Sequence, residues 1–153
     1  MTKEIENFVA VYRVINEMGP AIGDGRWEVF ESLFTEDAAL HHLSLGEVRG
    51  AKNIAAVLSG SLGAPLAAHY SAGNIRIDPS SGATAHAAWD FGVTLIYPDA
   101  GKDPLFLTAG SRLTAEFRHL GGRWLIADLT PVELWADPNM KRFVAARTAQ
   151  SKG

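Results

Sequence analysis

Few residues in this chain could move a proton or grip a polar ligand. There are five histidines, 17 aspartates plus glutamates, and no cysteine. Without cysteine there is no disulfide, no thiolate nucleophile and no Cys-based zinc site, so a metal would have to sit on His, Asp and Glu alone. The adjacent pair His41-His42 lies in a short apolar run from Ala38 to Leu45. Neighbours on an extended strand point to opposite faces and cannot easily chelate one ion. No metal and no cofactor are therefore expected. The sequence contains no Gly-x-Ser-x-Gly elbow, phosphate-binding loop or dinucleotide fingerprint, so serine hydrolysis and nucleotide chemistry have no support. General acid–base chemistry by imidazole and carboxylate remains, with His69 and Ser111 as the side chains to place first.

The elements that must position them are legible from periodicity. Ile5, Phe8, Val9, Tyr12 and Ile15 follow helical spacing, and Gly19-Pro20 predicts the stop of that helix. Trp27, Phe30 and Phe34 repeat at helical spacing, and a third helix is expected from about Ala51 to Leu58. From Leu66 the period becomes two, predicting strands over about 66–77, 83–97, 104–118 and 123–134. The turns between them, such as Asp78 to Gly82 and Gly121-Gly122, are too short for crossover helices, so consecutive strands should pair antiparallel. Asp137-Pro138 supplies an N-cap and first-turn proline for a closing helix carrying Met140, Phe143 and Val144.

Strand parity then assigns faces. In 83–97 the odd residues Ala87, Trp89, Phe91, Val93 and Leu95 are apolar and should point inward. In 104–118 the inward set includes Leu107, Ser111, Leu113 and Phe117, which makes Ser111 the single hydroxyl there. In 66–77 the odd residues Ile75 and Ile77 carry His69 inward with them. Trp89, Phe91 and Leu113 are expected to wall an apolar cavity, which suits a ring-shaped ligand.

The chain of 153 residues is expected to form one domain over 1–153, with helices on one face of a curved antiparallel sheet, an α+β class. A net charge of −3 without a basic run lacks the footprint a phosphate backbone needs, so nucleic acid is not an expected partner. The Met1–Asn7 stretch is polar and no run of 18 apolar residues occurs, so a soluble, cytoplasmic protein without membrane insertion is expected. The outward sheet face mixes Thr84, His86, Thr94 and Thr114 with few strong charges, which points to a homo-oligomer, dimer or trimer.

Three stretches carry a family resemblance. They are Asp24 to Trp27 running on to Phe34, Ala68-His69-Tyr70 through Gly73, and Gly122-Arg123-Trp124 through Ala127 followed by Pro131, Trp135 and Arg142-Phe143. Together they resemble the SnoaL-like branch of the NTF2-like superfamily, in particular its scytalone dehydratase and hexachlorocyclohexane dehydrochlorinase members. That resemblance implies a cone-shaped, cystatin-like α+β fold around a cavity. It also implies a cofactor-independent lyase or isomerase in which an Asp near the first helix junction orients a His on the sheet. His69 matches the His. The Asp falls on Asp24, one residue after the usual slot at Gly23, or on Glu17 if the Gly19-Pro20 region is an insertion. By the same resemblance His42 stands where the dehydratase has an active-site Tyr, Ser111 is retained, and Leu113 replaces an Asn. Two functions follow: a dehydratase, dehydrohalogenase or cyclase acting on a small cyclic, largely apolar substrate, or a non-catalytic module that binds a small ligand or mediates assembly.

Overall fold

The computed structural model describes residues 2–42, 44–78 and 82–143. Residues 79–81 of the expected Asp78 to Gly82 turn, and the expected closing-helix position Val144, lie outside these.

Helix α1 spans Lys3–Gly23 and is capped by the Thr2 hydroxyl, which accepts the Ile5 N–H at 3.4 Å. Val11, Ile15, Met18 and Ile22 form its buried stripe. The helix runs through Gly19-Pro20 rather than stopping there. Proline forfeits its own N–H bond, but here it is solvent-exposed, and its carbonyl still takes part in closing the helix, accepting the N–H of the C-cap Asp24 at 2.9 Å. Gly19 has a packing role instead. A Cβ there would lie 3.0 Å from the Tyr70 carbonyl oxygen, and one at Gly23 would lie 3.0 Å from the Ala68 carbonyl oxygen. The two glycines let α1 rest directly on strand backbone.

Helix α2 is short, Trp27–Glu31, and Phe34 opens strand β1 (Phe34–His42) instead of extending the helix. Its ring still packs on Phe30 at 5.0 Å, so the i, i+4 apolar pair is real although only one partner is helical. Strand β2 (Gly46–Arg49) and helix α3 (Ala51–Leu62) follow, then the long strands β3 (Ala67–Asp78), β4 (Thr84–Tyr97), β5 (Leu105–Leu120) and β6 (Arg123–Ala136). The sheet order is β2-β1-β6-β5-β4-β3, antiparallel throughout except for the β1–β6 pair. A closing helix begins at residue 138, with Asp137 as its N-cap: its carboxylate accepts the Met140 N–H at 2.9 Å.

The helices pack on one face of the curved sheet. Odd residues of β4 and β5, among them Ala85, Trp89, Leu107 and Phe117, are buried between the layers. Among the described residues no helix is long and apolar enough to cross a membrane.

Strand β3 departs from the expected parity. Opposite β4 its register shifts between Gly73 and Arg76, so that Asn74 and Ile75 together face Trp89. This extra residue turns over everything N-terminal to it. Ile75 and Ile77 face the core as expected, but so do Tyr70 and Ala72, whereas His69 is exposed on the outer face opposite Thr94. The inward placement of His69 is thereby corrected.

Candidate functional site

Between the helices and the concave sheet face lies a cavity of about 250 Å³. Sheet positions Phe91, Val93, Leu95 and Leu113 form one wall. Met18 and Ile22 of α1, Trp27 of α2, Leu58 of α3 and Met140 and Phe143 of the closing helix form the other. Phe143 packs against Tyr97 with ring centroids 4.4 Å apart and planes tilted by 34°, which ties the closing helix to the end of β4. Trp89, expected as a wall, is instead fully buried core beside Phe117. The lining positions of β4 run from Phe91 to Tyr97, and Trp89 falls one pleat beyond them.

Five residues with polar side chains are among those lining this apolar space: His42, Ser61, Tyr70, Tyr97 and Ser111. Tyr97 donates its hydroxyl to the Leu62 carbonyl at 2.5 Å. Tyr70 lies against Phe91, ring centroids 5.3 Å apart. Burial, reinforced by neighbouring Tyr97, pushes the Tyr70 phenol well above the usual tyrosine range. It is therefore a protonated donor at every ordinary pH. His42 accepts the Ser44 N–H on Nδ1 at 3.2 Å, which leaves the ring proton on Nε2, and burial lowers its pKa. A neutral ring held in that tautomer is a hydrogen-bond donor rather than a base. Among the described residues no carboxylate lines the cavity.

His42, Phe91, Ser111 and Leu113 thus share one cavity, while His69 and Asp24 stand outside it. The Asp24 side chain is 70% exposed at the end of α1, with Arg26 Nε 3.7 Å away, and Glu17 pairs with the Arg26 guanidinium at 3.1 Å. Among the described residues no hydrogen bond joins either carboxylate to His69, because helix end and imidazole lie on different sides of β3. An imidazole–carboxylate pair does form elsewhere: His41 Nε2 and Asp128 Oδ2 are 2.8 Å apart, with both side chains partly open to solvent on the outer sheet face. His41 and His42 diverge to opposite faces of β1, and among the described residues no three His, Asp or Glu side chains cluster as a metal site would need.

Tyr70 is the cavity residue that parity reasoning missed. Its signal was present in Gly73-Asn74, since a glycine inside a strand pattern often marks a bulge and Asn tolerates left-handed backbone.

A six-stranded curved sheet wrapped over N-terminal helices, with an apolar cavity between the layers, is the cystatin-like fold seen in NTF2-like proteins. The chain belongs to the SnoaL-like domain family, whose model matches residues 3–130. No curated protein sequence matches it significantly. Among solved structures, it is similar to a candidate scytalone dehydratase from Novosphingobium aromaticivorans, at TM-score 0.78 and 16% identity over 90% of this chain and 91% of that one. It is also similar to a hexachlorocyclohexane dehydrochlorinase, LinA-type3, from Novosphingobium barchaimii, at TM-score 0.75 and 12% identity over 88% and 90%. An NTF2-like protein with a cystatin-like fold from Novosphingobium aromaticivorans aligns at TM-score 0.71 and 19% identity over 91% and 89%. At these identities the likeness is one of fold.

Proposed function

We propose that the protein is a cofactor-independent lyase or isomerase acting on a small, largely apolar ring that carries a carbonyl oxygen. One observation carries this reading: Tyr70 and His42, whose phenol and Nε2–H are neutral donors, line the same apolar cavity. Donors aimed at a carbonyl oxygen stabilise the negative charge that grows there when the adjacent carbon loses a proton, each worth roughly 3 to 4 kcal/mol in a dry site. The proton then passes to a weak acceptor such as water. A leaving group one carbon further on completes an elimination, and reprotonation at another carbon completes an isomerisation. The names of the structural relatives, a dehydrochlorinase and a candidate dehydratase, fit the first outcome. Phe91, Leu113 and Leu95 would clasp the ring, and Ser111 would meet a second polar group.

A non-catalytic ligand-binding module is the second reading, favoured by the lack of any carboxylate among the described cavity residues. Exchange of α-hydrogens for deuterium in cyclic ketones and enones, followed by NMR in D2O, separates the two. Protein-dependent exchange that Tyr70→Phe and His42→Gln each reduce at least tenfold supports the enzyme. Saturable binding without exchange establishes the module instead.

The outer sheet face is proposed as the surface of a homo-oligomer, dimer or trimer. Phe106, Val132 and Trp135 are each more than half exposed on the outer side of β5 and β6, near Thr94 and Thr114. Sedimentation at micromolar concentration reads this directly, and a 16.4 kDa species would refute it.

A further inference from the structure

We infer that Asn74, anchored by Asp90 and Arg112, is a register lock that presents Tyr70 instead of His69 to the cavity. The inference rests on the reading that the cavity is the functional site. Unbroken alternation backward from Ile75 would turn Gly73, Ser71 and His69 inward. The bulge places Asn74 and Ile75 together against Trp89 and so reverses the phase. Asn74 has φ 48°, the one positive value at a non-glycine among the described residues. The adjacent Gly73 does not demand the bulge, since its φ is ordinary and a Cβ there would meet nothing within 4 Å.

What holds Asn74 is a chain of hydrogen bonds across three strands. Its Nδ2 donates to Asp90 Oδ2 at 2.7 Å, and Asp90 Oδ1 accepts from Arg112 Nε at 2.8 Å. Arg112 and Asp90 are directly paired across β5 and β4, and Asp90 pairs with Gly73 on β3. The bulge on this edge strand is therefore fastened to β4 directly and, through Asp90, to β5 beyond it. The guanidinium, then the Asn74 amide, keep the Asp90 carboxyl below its usual range, so the anchor stays charged at neutral pH.

The consequence is chemical. Consecutive residues of one strand carry a phenol and an imidazole, and the strand's phase selects which one a ligand meets. With the bulge the cavity offers a donor that stays protonated. Without it the cavity would offer a base.

Substitution and deletion at position 74 have opposite expected effects. Asn74→Val favours extended backbone and cannot reach Asp90, so the strand becomes continuous, His69 turns inward and Tyr70 turns out. Deleting Asn74 also makes the strand continuous, but it removes the extra residue, so Gly73 stays outward and Tyr70 stays inward. A merely structural role would make the deletion the more damaging change.

The test maps nitration of tyrosine and carbethoxylation of histidine by mass spectrometry on folded, ligand-free protein. In the wild type His69 should react readily and Tyr70 slowly. Asn74→Val should raise the Tyr70 rate at least tenfold and slow His69 comparably, and the deletion should keep the wild-type pattern. A folded Asn74→Val protein with the wild-type pattern, or a deletion that exposes Tyr70, overturns the lock. If Asn74→Val does not fold, the deletion decides alone: Tyr70 protected supports the lock, Tyr70 reactive refutes it. No substrate is involved, so a failure of catalysis is distinguishable from a failure of this inference.

Discussion

Replacing Gly19 by Ala sets two effects of known size against each other. In an open helical position alanine is more favourable than glycine by about 0.8 to 1 kcal/mol. Gly19 is not open: the added Cβ would stand 3.0 Å from the Tyr70 carbonyl oxygen and 3.2 Å from Tyr70 Cβ, tighter than ordinary contact on both. Neither atom can swing away as the end of a long side chain can, so α1 and β3 must part by a few tenths of an ångström. Overpacking of this kind costs roughly 1 to 3 kcal/mol. The difference runs from about break-even to about 2 kcal/mol destabilising. For a chain of this length that is a fall in Tm of up to roughly 4 to 8 °C. Gly60 in α3 provides the reference, because a Cβ there meets nothing within 4 Å. Gly60→Ala should stabilise by roughly 0.5 to 1 kcal/mol. Thermal unfolding by circular dichroism, with urea titration alongside, measures both variants. Because Tyr70 rides on the displaced strand, Gly19→Ala should also weaken binding of any cavity ligand. If Gly19→Ala raises Tm as much as Gly60→Ala does, the close approach of α1 to β3 is wrong and so is the argument for the glycine.

Two further outcomes are expected. The depressed pKa of His42 means that the unfolded chain takes up that proton first, starting near pH 6.5. The stability it contributes is therefore complete above about pH 6.5, declines as pH falls through the folded-state pKa and levels off below it. Urea melts between pH 7.5 and 5 should show this decline in the wild type and not in His42→Gln. Asp137→Ala removes the acceptor of the Thr108 N–H, the Thr108 hydroxyl at 3.1 Å and the Met140 N–H at 2.9 Å. Loss of the cap should cost about 0.5 to 2 kcal/mol. Since Met140 and Phe143 close the cavity, ligand dissociation should quicken, which stopped-flow displacement would detect.

Much of the site could be read before folding was considered. On β4 and β5 an unbroken period of two placed Phe91, Ser111 and Leu113 on the inward face, and all three line the cavity. Pairing between those strands runs from Thr84–Arg118 to Tyr97–Leu105 without a shift, so nothing disturbs the alternation. The same rule failed on β3 because one residue with left-handed backbone reverses every face beyond it. It overreached at Trp89 for another reason: parity says which face a residue takes, not how far along the strand the cavity extends.

The sequence by itself determined the α+β class, the antiparallel order of the long strands, the inward residues of β4 and β5, the cap at Asp137 and the family. All of these are written in local periodicity, turn chemistry and short motifs, which act over a few residues. Only the tertiary structure decided that Tyr70 faces the cavity in place of His69, that α1 continues through Pro20, and that His41 and Asp128 meet across the parallel β1–β6 pair. Each of these depends on a partner far away in the chain: Asp90 and Arg112 for the bulge, the β3 backbone for Gly19, and strand β6 for His41. A pattern confined to one segment cannot carry that information, because the deciding energy lies in contacts that exist only once the strands have assembled.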